Sequence, residues 1–217
     1  MNQVRSRPPL RIRAAGKTVS ALVAAAPAIW PLLRRPVERF FDSVAVSWES
    51  RTGAGSYEHL EALAVALGTL AEKPERVLDL GCGTGETTLF LAREFPAAGI
   101  RGVDISSEMV RRATRKVGLD PSARVSYRVA DAAALPWPSG SFDLVSQVNL
   151  PVFADEAARV LRPGGSYVSI SSLGRDTPFH TSDHLYERAV RRAGMVPCAG
   201  GATGSGSWRI ARLPGNA

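Results

Sequence analysis

Cysteine is scarce in this chain of 217 residues. The two cysteines, Cys82 and Cys198, lie far apart, and neither belongs to a Cys-x-x-Cys pair. Structural zinc sites and dithiol redox motifs need such closely spaced pairs. We therefore expect reduced thiols and no metal site. Cys82 is interpreted as a small buried residue rather than a nucleophile.

Acidic residues are nearly missing from the first 40 positions, where Glu38 is the only one. Eight basic side chains accompany it, which gives this segment a charge of +7, the net charge of the whole chain. Residues 41–217 carry 19 basic and 19 acidic side chains. A nucleic-acid-binding domain keeps its basic patch on the folded body. We therefore predict no nucleic-acid partner, a basic, apolar arm at 1–40 and one domain at 41–217.

No uninterrupted apolar run is long enough to cross a bilayer, which takes about 20 residues. The longest candidate, residues 19–33, contains two prolines. Three interpretations stay open. The arm packs on the body or at an interface, it makes weak contact with a membrane surface through Trp30, Leu32, Leu33 and the flanking arginines, or it is a secretory signal or a misassigned start. The intracellular cofactor argued for below counts against export, so we expect a cytoplasmic protein, free or peripheral to the membrane.

Short apolar or alternating runs predict strands, and segments with helical spacing separate them. The predicted strands are 76–80, 99–105, 125–130, 142–147, 166–172 and 206–213, and the predicted helices are 55–70, 86–95, 107–117, 153–161 and 183–193. Ser106 or Ser107 is expected to cap one helix, Ser182 to cap another, and residues 200–206 to form a loop. The alternation predicts an α/β fold with a mostly parallel sheet, helices on both faces and an antiparallel finish.

A glycine turn, DLGCGTG at 79–85, joins the first strand to a helix. Gly81 and Gly83 would let a ligand approach the backbone, and Gly85 would let the helix pack closely on the strand. In a parallel sheet, ligands bind at the carboxyl ends of the strands. A dinucleotide site requires a glycine where this chain has Glu86, whose carboxylate would repel a diphosphate. This disfavours NAD and FAD.

A carboxylate follows each of three successive predicted strands. Asp79, Asp104 and Asp131 stand at these strand ends. S-adenosylmethionine carries a sulfonium cation, an amino acid end and an adenosine, and has no phosphate, so acidic residues suit it. We expect Asp79 to accept from the ammonium group, Asp104 to bind both ribose hydroxyls and Asp131 to accept from the adenine amino group.

Four blocks in this order resemble class I S-adenosylmethionine-dependent methyltransferases, above all the ubiquinone and menaquinone branch. The blocks are VLDLGCGTG (77–85), GVDISSEM (102–109), VADAAALPWPSGSFDLV (129–145) and RVLRPGG (159–165). The resemblance implies a Rossmann-like seven-stranded sheet with one antiparallel strand. It also implies S-adenosylmethionine as cofactor and in-line methyl transfer to a small-molecule acceptor, which we expect to be apolar. The residues expected to bind the cofactor are Asp79, Gly81, Cys82, Gly83, Gly85, Asp104, Ile105, Asp131 and Ala132.

The sequence gives less information about the residues that would bind the methyl acceptor or act on it. Asn149 and His180 are the candidate catalytic residues, and Phe41 and Trp48 are candidate walls of an acceptor site. The segment after the fourth strand lacks the histidine of the quinone branch, and no NPPY motif of base or glutamine methylation is present. Two alternatives are a catalytically silent protein of the same fold and a nicotinamide-dependent oxidoreductase, which the missing glycine disfavours. The oligomeric state stays open.

Overall fold

A computed structural model of the chain describes residues 8–52, 57–118 and 122–215. Its centre is a sheet of seven strands. The strands are β1 (Arg76–Leu80), β2 (Gly99–Asp104), β3 (Val125–Val129), β4 (Phe142–Val148), β5 (Leu161–Ser171), β6 (Val196–Thr203) and β7 (Gly206–Arg212).

The strands lie in the order β3-β2-β1-β4-β5-β7-β6. Strands β1 to β5 pair in parallel, and β7 runs antiparallel to both β5 and β6. The order reverses between β1 and β4, which is where open α/β sheets form their ligand crevice. The predicted Rossmann-like seven-stranded sheet with one antiparallel strand is confirmed.

Helices cover both faces of the sheet. They are α1 (Leu10–Ala25), α2 (Trp30–Val44), α3 (Trp48–Thr52), α4 (Glu61–Gly68), α5 (Glu86–Glu94), α6 (Ser107–Val117), α7 (Ala154–Val160) and α8 (Asp183–Arg192). Alternate residues of one strand enter different cores, because side chains along a strand point to opposite faces. Leu78 packs on one face with residues of α7 and α8, and Val77 packs on the other with residues of α4 and α5.

Most predicted elements are present, with boundaries shifted by a few residues. The N-cap prediction for α6 is confirmed, because the Ser106 hydroxyl accepts from the Met109 amide at 3.2 Å. The predicted loop at 200–206 is wrong, since residues 200–203 belong to β6. Ser182 precedes α8 without a side-chain capping bond. In the predicted helix 55–70, the structure has a 3₁₀ turn at Tyr57–Leu60 followed by α4, and positions 55 and 56 lie outside the described residues.

The N-terminal arm packs against the body of the domain. Arg13 forms an ion pair with Asp176, and Arg192 donates from Nη1 to the Ala24 carbonyl at 3.0 Å. Gly16 is buried so closely that an added Cβ would lie 2.5 Å from the Pro178 carbonyl oxygen. Helix α2 then runs through residue 40 without a break. Among the described residues, no helix combines the length and apolarity that crossing a membrane requires.

Candidate active site at the glycine turn

The glycine turn joins β1 to α5 at the strand-order reversal. Gly81, Gly83 and Gly85 have φ values of +68°, +54° and +90°, a region that favours glycine. At Gly85, an added Cβ would also lie 2.5 Å from the Tyr127 hydroxyl oxygen. That hydroxyl donates to the Gly85 carbonyl at 3.2 Å. The turn therefore depends on glycine for its backbone conformation, and Tyr127 holds it at Gly85.

Asp79 is the buried carboxylate of the site, with 1% of its surface exposed. Its Oδ2 accepts a hydrogen bond from the Thr88 hydroxyl at 2.6 Å. Its Oδ1 receives no hydrogen bond from any residue that the structure describes. Burial raises the pKa of Asp79 to about 7, and the nearby Asp104 adds to this. A buried oxygen without a donor fits a ligand that brings a charged N–H group.

Asp104 ends β2 and braces the glycine turn. Its Oδ2 accepts from the Gly83 amide and its Oδ1 from the Ser106 amide, each at 2.9 Å. The Ser106 hydroxyl in turn donates to Asp42 of α2 at 2.6 Å. Removal from water raises the pKa of Asp104 to about 6, and Asp42 contributes to the rise. A carboxylate can accept about four hydrogen bonds, so each Asp104 oxygen keeps room for one ribose hydroxyl.

Asp131 follows β3 and is held by the N-terminal arm. Its Oδ1 accepts from the Trp30 indole N–H at 2.8 Å and from the Ala133 amide at 2.9 Å. Its Oδ2 lies 3.3 Å from Nε of Arg34. The Trp30 ring meets Phe153 edge-on, with centroids 4.9 Å apart. The carboxylate that the sequence assigns to adenine thus contacts two arm residues, which sequence reasoning did not link to it.

The sequence also predicts cofactor contacts for Ile105, Ala132 and Cys82. Ile105 and Ala132 pack beside the cluster of Trp30 and Phe153, and Trp30 is the residue that donates to Asp131. Cys82 is buried, and its amide donates to the Val103 carbonyl at 2.9 Å. Burial raises the pKa of the Cys82 thiol well above its usual value, which agrees with a packing role.

Glu86, which disfavours a dinucleotide site, opens helix α5. Its Oε2 lies 3.0 Å from Nε2 of His59. The carboxylate therefore points toward a structural partner beside the turn. Its negative charge stays at the position where a diphosphate would need the helix N-terminus free.

A cluster of aromatic side chains lies beside the glycine turn. Phe41 packs against Trp48 and against Phe179, with ring centroids 5.6 and 5.8 Å apart. The Trp48 Nε1 is 3.6 Å from the position of a Cβ on Gly83, and Leu150 Cδ1 is only 2.8 Å from the position of a Cβ on Gly81. Phe41, Trp48, Phe179 and Leu150 are together called the apolar wall. The sequence suggested only the first two of them.

Asn149 and His180, the candidate catalytic residues, are each engaged elsewhere. Asn149 has a φ of +57°, and its carboxamide exchanges two 2.8 Å hydrogen bonds with Ser172. His180 Nδ1 lies 3.3 Å from the Ser171 hydroxyl. Burial lowers the pKa of His180, so the neutral imidazole is favoured. His180 borders a cavity of about 770 Å³ between α8 and the β6–β7 hairpin, and the lining of this cavity does not include Asp79, Asp104 or Asp131.

Part of this chain is similar in sequence to known proteins. Residues 77–165 match a family model described as a methyltransferase domain. Over these residues the chain is similar to a methyltransferase domain. It is 35% identical over 154 residues to the demethylmenaquinone methyltransferase of Lactiplantibacillus plantarum, covering 65% of each protein. The chain spans 33% to 65% of the length of eight similar curated relatives.

Solved structures share the architecture of this chain. A methyltransferase from Aquifex aeolicus, described as SAM-dependent, has a TM-score of 0.65 at 19% identity and covers 79% of this chain and 98% of its own. The 4+2 cyclase SpnF has a TM-score of 0.67 at 21% identity, with 84% and 97% covered. The predicted resemblance to S-adenosylmethionine-dependent methyltransferases is confirmed. The likeness to a cyclase shows that this fold alone does not fix the reaction.

Proposed function

We propose that the chain binds S-adenosylmethionine at the glycine turn and directs its methyl group to a small apolar acceptor. The observation that carries this is Asp79, a buried carboxylate whose Oδ1 has no donor among the described residues. The ammonium group of the ligand supplies that donor. A cationic ligand also offsets the repulsion between Asp79 and Asp104, which a phosphate ligand would increase.

The residues of the turn support a division of roles. Gly81 and Gly83 present bare backbone, Asp104 retains two acceptor positions for a ribose, and Ile105 offers an apolar surface for a purine. The cofactor supplies an already activated methyl group. The protein therefore has to bind the cofactor and the acceptor, orient them and exclude water. Their proximity supplies much of the rate.

The apolar wall favours an acceptor with a hydrophobic body. Phe41, Trp48 and Phe179 offer aromatic faces and no charge. The similar protein from Lactiplantibacillus plantarum is named for demethylmenaquinone, a quinone acceptor. By analogy, we propose an acceptor with an apolar ring or chain. A general base is required only if that acceptor must lose a proton.

The outer face of α2 supports weak contact with an anionic membrane surface. Leu32 is 77% exposed, and Arg35, Arg39 and Phe40 are exposed on the same helix. Basic side chains around exposed apolar ones suit the interface of an anionic bilayer. Such contact would bring the protein to a lipid-soluble acceptor.

The test of cofactor binding is thermal unfolding with S-adenosylhomocysteine. At one hundred times its dissociation constant, the ligand should raise the melting temperature by about 5 to 10 °C. Asp104→Ala should remove most of the shift, and Asp155→Ala, on the surface of α7, should keep it. An unchanged melting temperature of the wild type at millimolar ligand would refute the proposal. Transfer of a labelled methyl group to quinol and phenol acceptors then tests turnover.

A second candidate is a protein that binds the cofactor without methyl transfer. Two observations favour it: the Asn149 carboxamide is taken up by Ser172, and His180 contacts Ser171 away from the carboxylates. A normal ligand shift together with no transfer to any acceptor of the panel would support this candidate over the enzyme.

A further inference from the structure

The contacts of Asp131 are unequal at its two oxygens. Oδ1 accepts from both the Trp30 indole and the Ala133 amide, so its two lone pairs are in use. Oδ2 has one neighbour of opposite charge, Nε of Arg34 at 3.3 Å. One oxygen is therefore occupied by fixed groups, and the other is held by a single ion pair.

The two arm residues also differ in how firmly they are placed. Trp30 is 5% exposed and packs edge-on against Phe153, so its indole cannot move without disturbing the core. The Arg34 side chain is 50% exposed. An exposed ion pair contributes little to stability, so a competing donor can displace it at low cost.

We propose that Trp30 is a positioning residue that orients Asp131 through Oδ1, and that Arg34 competes with the adenine amino group for Oδ2. This inference rests on the proposed function, because it needs S-adenosylmethionine or its product in the crevice. Ile105 and Ala132 pack beside the same Trp30 cluster, so the arm forms one wall of the adenine subsite. The arm thereby contributes to nucleobase selection as well as to the stability of the domain.

The experiment compares the binding of two ligands by calorimetry. S-adenosylhomocysteine carries the 6-amino group, and S-inosylhomocysteine carries a 6-oxo group that cannot donate to Asp131. Arg34→Gln should tighten binding of the adenosyl ligand by about two- to fivefold. Arg35→Gln removes the same charge from the adjacent exposed position and should leave binding unchanged. Trp30→Phe keeps an aromatic ring beside Phe153 and removes the donor.

For Trp30→Phe we expect about tenfold weaker binding of S-adenosylhomocysteine, and a smaller change for the inosyl ligand. Its discrimination between the two ligands should therefore fall. If the Arg34→Gln and Arg35→Gln variants bound S-adenosylhomocysteine equally well, the proposed competition between Arg34 and adenine would be wrong. A lower melting temperature with unchanged discrimination would reduce Trp30 to a packing residue and overturn its positioning role. If the wild type bound neither ligand, the proposed function itself would fail, and this inference with it.

Discussion

The clearest physical prediction concerns Asp79, because its ionisation affects folding and ligand binding in opposite directions. Asp79 is 1% exposed, and Thr88 is the hydrogen-bond donor that the structure shows on its carboxylate. Burial raises its pKa from 3.8 to about 7. The perturbations are a pH change from 6 to 8 and the substitution Asp79→Asn.

The folded protein holds the Asp79 proton more tightly than the unfolded chain. Between pH 4 and 7 the folded state therefore binds more protons, and the free energy of unfolding decreases as pH rises. The stabilisation is fully present below the unfolded pKa of 3.8 and is lost as pH passes the folded pKa of about 7. Ionised Asp79 then costs the ligand-free folded state at most about 4 kcal/mol.

Ligand binding should show the reverse dependence. The ammonium group of the ligand needs ionised Asp79, and about nine tenths of the carboxyl groups are ionised at pH 8 but only about one tenth at pH 6. The affinity for S-adenosylhomocysteine should therefore fall about tenfold from pH 8 to pH 6. The pKa of Asp104 is raised to about 6, so its protonation should lower the affinity further as pH falls.

Urea unfolding and calorimetry at both pH values test these two trends. Asp79→Asn should stabilise the ligand-free protein at pH 8, flatten the pH dependence of its stability and weaken ligand binding. Asp143→Asn is the matched control, since Asp143 is also buried but already accepts from two backbone amides and pairs with Arg162. Asp143→Asn should lower stability and keep the pH trends. A destabilised Asp79→Asn protein with an unchanged pH slope would refute the reasoning.

Two further predictions concern the glycine turn and the arm. Gly85→Ala should lower the free energy of unfolding by roughly 1–3 kcal/mol, because φ is +90° and the Cβ meets the Tyr127 hydroxyl. Gly68→Ala, where nothing lies within 4 Å, should be neutral or stabilising in the same urea assay. Leu32→Ser should reduce sedimentation with phosphatidylglycerol vesicles, and Val196→Ser, 50% exposed on β6, should not. Equal loss in both variants, or no vesicle binding by the wild type, would contradict the membrane contact.

The sequence predicted well wherever local pattern decides the structure. The apolar run of β1 and the three glycines after it specify a buried strand and a turn with positive φ. The strand β6 was missed because its residues, including Gly200 and Gly201, have small side chains and no alternating pattern. Its pairing with β7 supplies the backbone hydrogen bonds that define it. Strand formation there depends on the partner, which no local window contains.

Long-range contacts of the candidate site were beyond the sequence for the same reason. Trp30 and Asp131 are 101 positions apart, and Asp42 and Ser106 are 64 apart. Each of these residues has an ordinary local role, as part of an amphipathic helix or of a strand end. Tyr127 lies in β3, which is separated from β1 by β2, so its contact with Gly85 also depends on the assembled sheet. The partition at residue 40 stays a prediction.

The contacts of helix α2 change the charge around the carboxylates of the candidate site. Asp79 and Asp104 lie close enough for their negative charges to repel, and Asp104 contributes to the raised pKa of Asp79. Helix α2 brings Arg34 to Asp131 and Asp42 to the neighbourhood of Asp104. The same helix therefore offsets negative charge at Asp131 and adds to it at Asp104. In the proposed complex, a cationic amino acid end of the ligand relieves the repulsion that remains around Asp79, and this relief adds to the affinity.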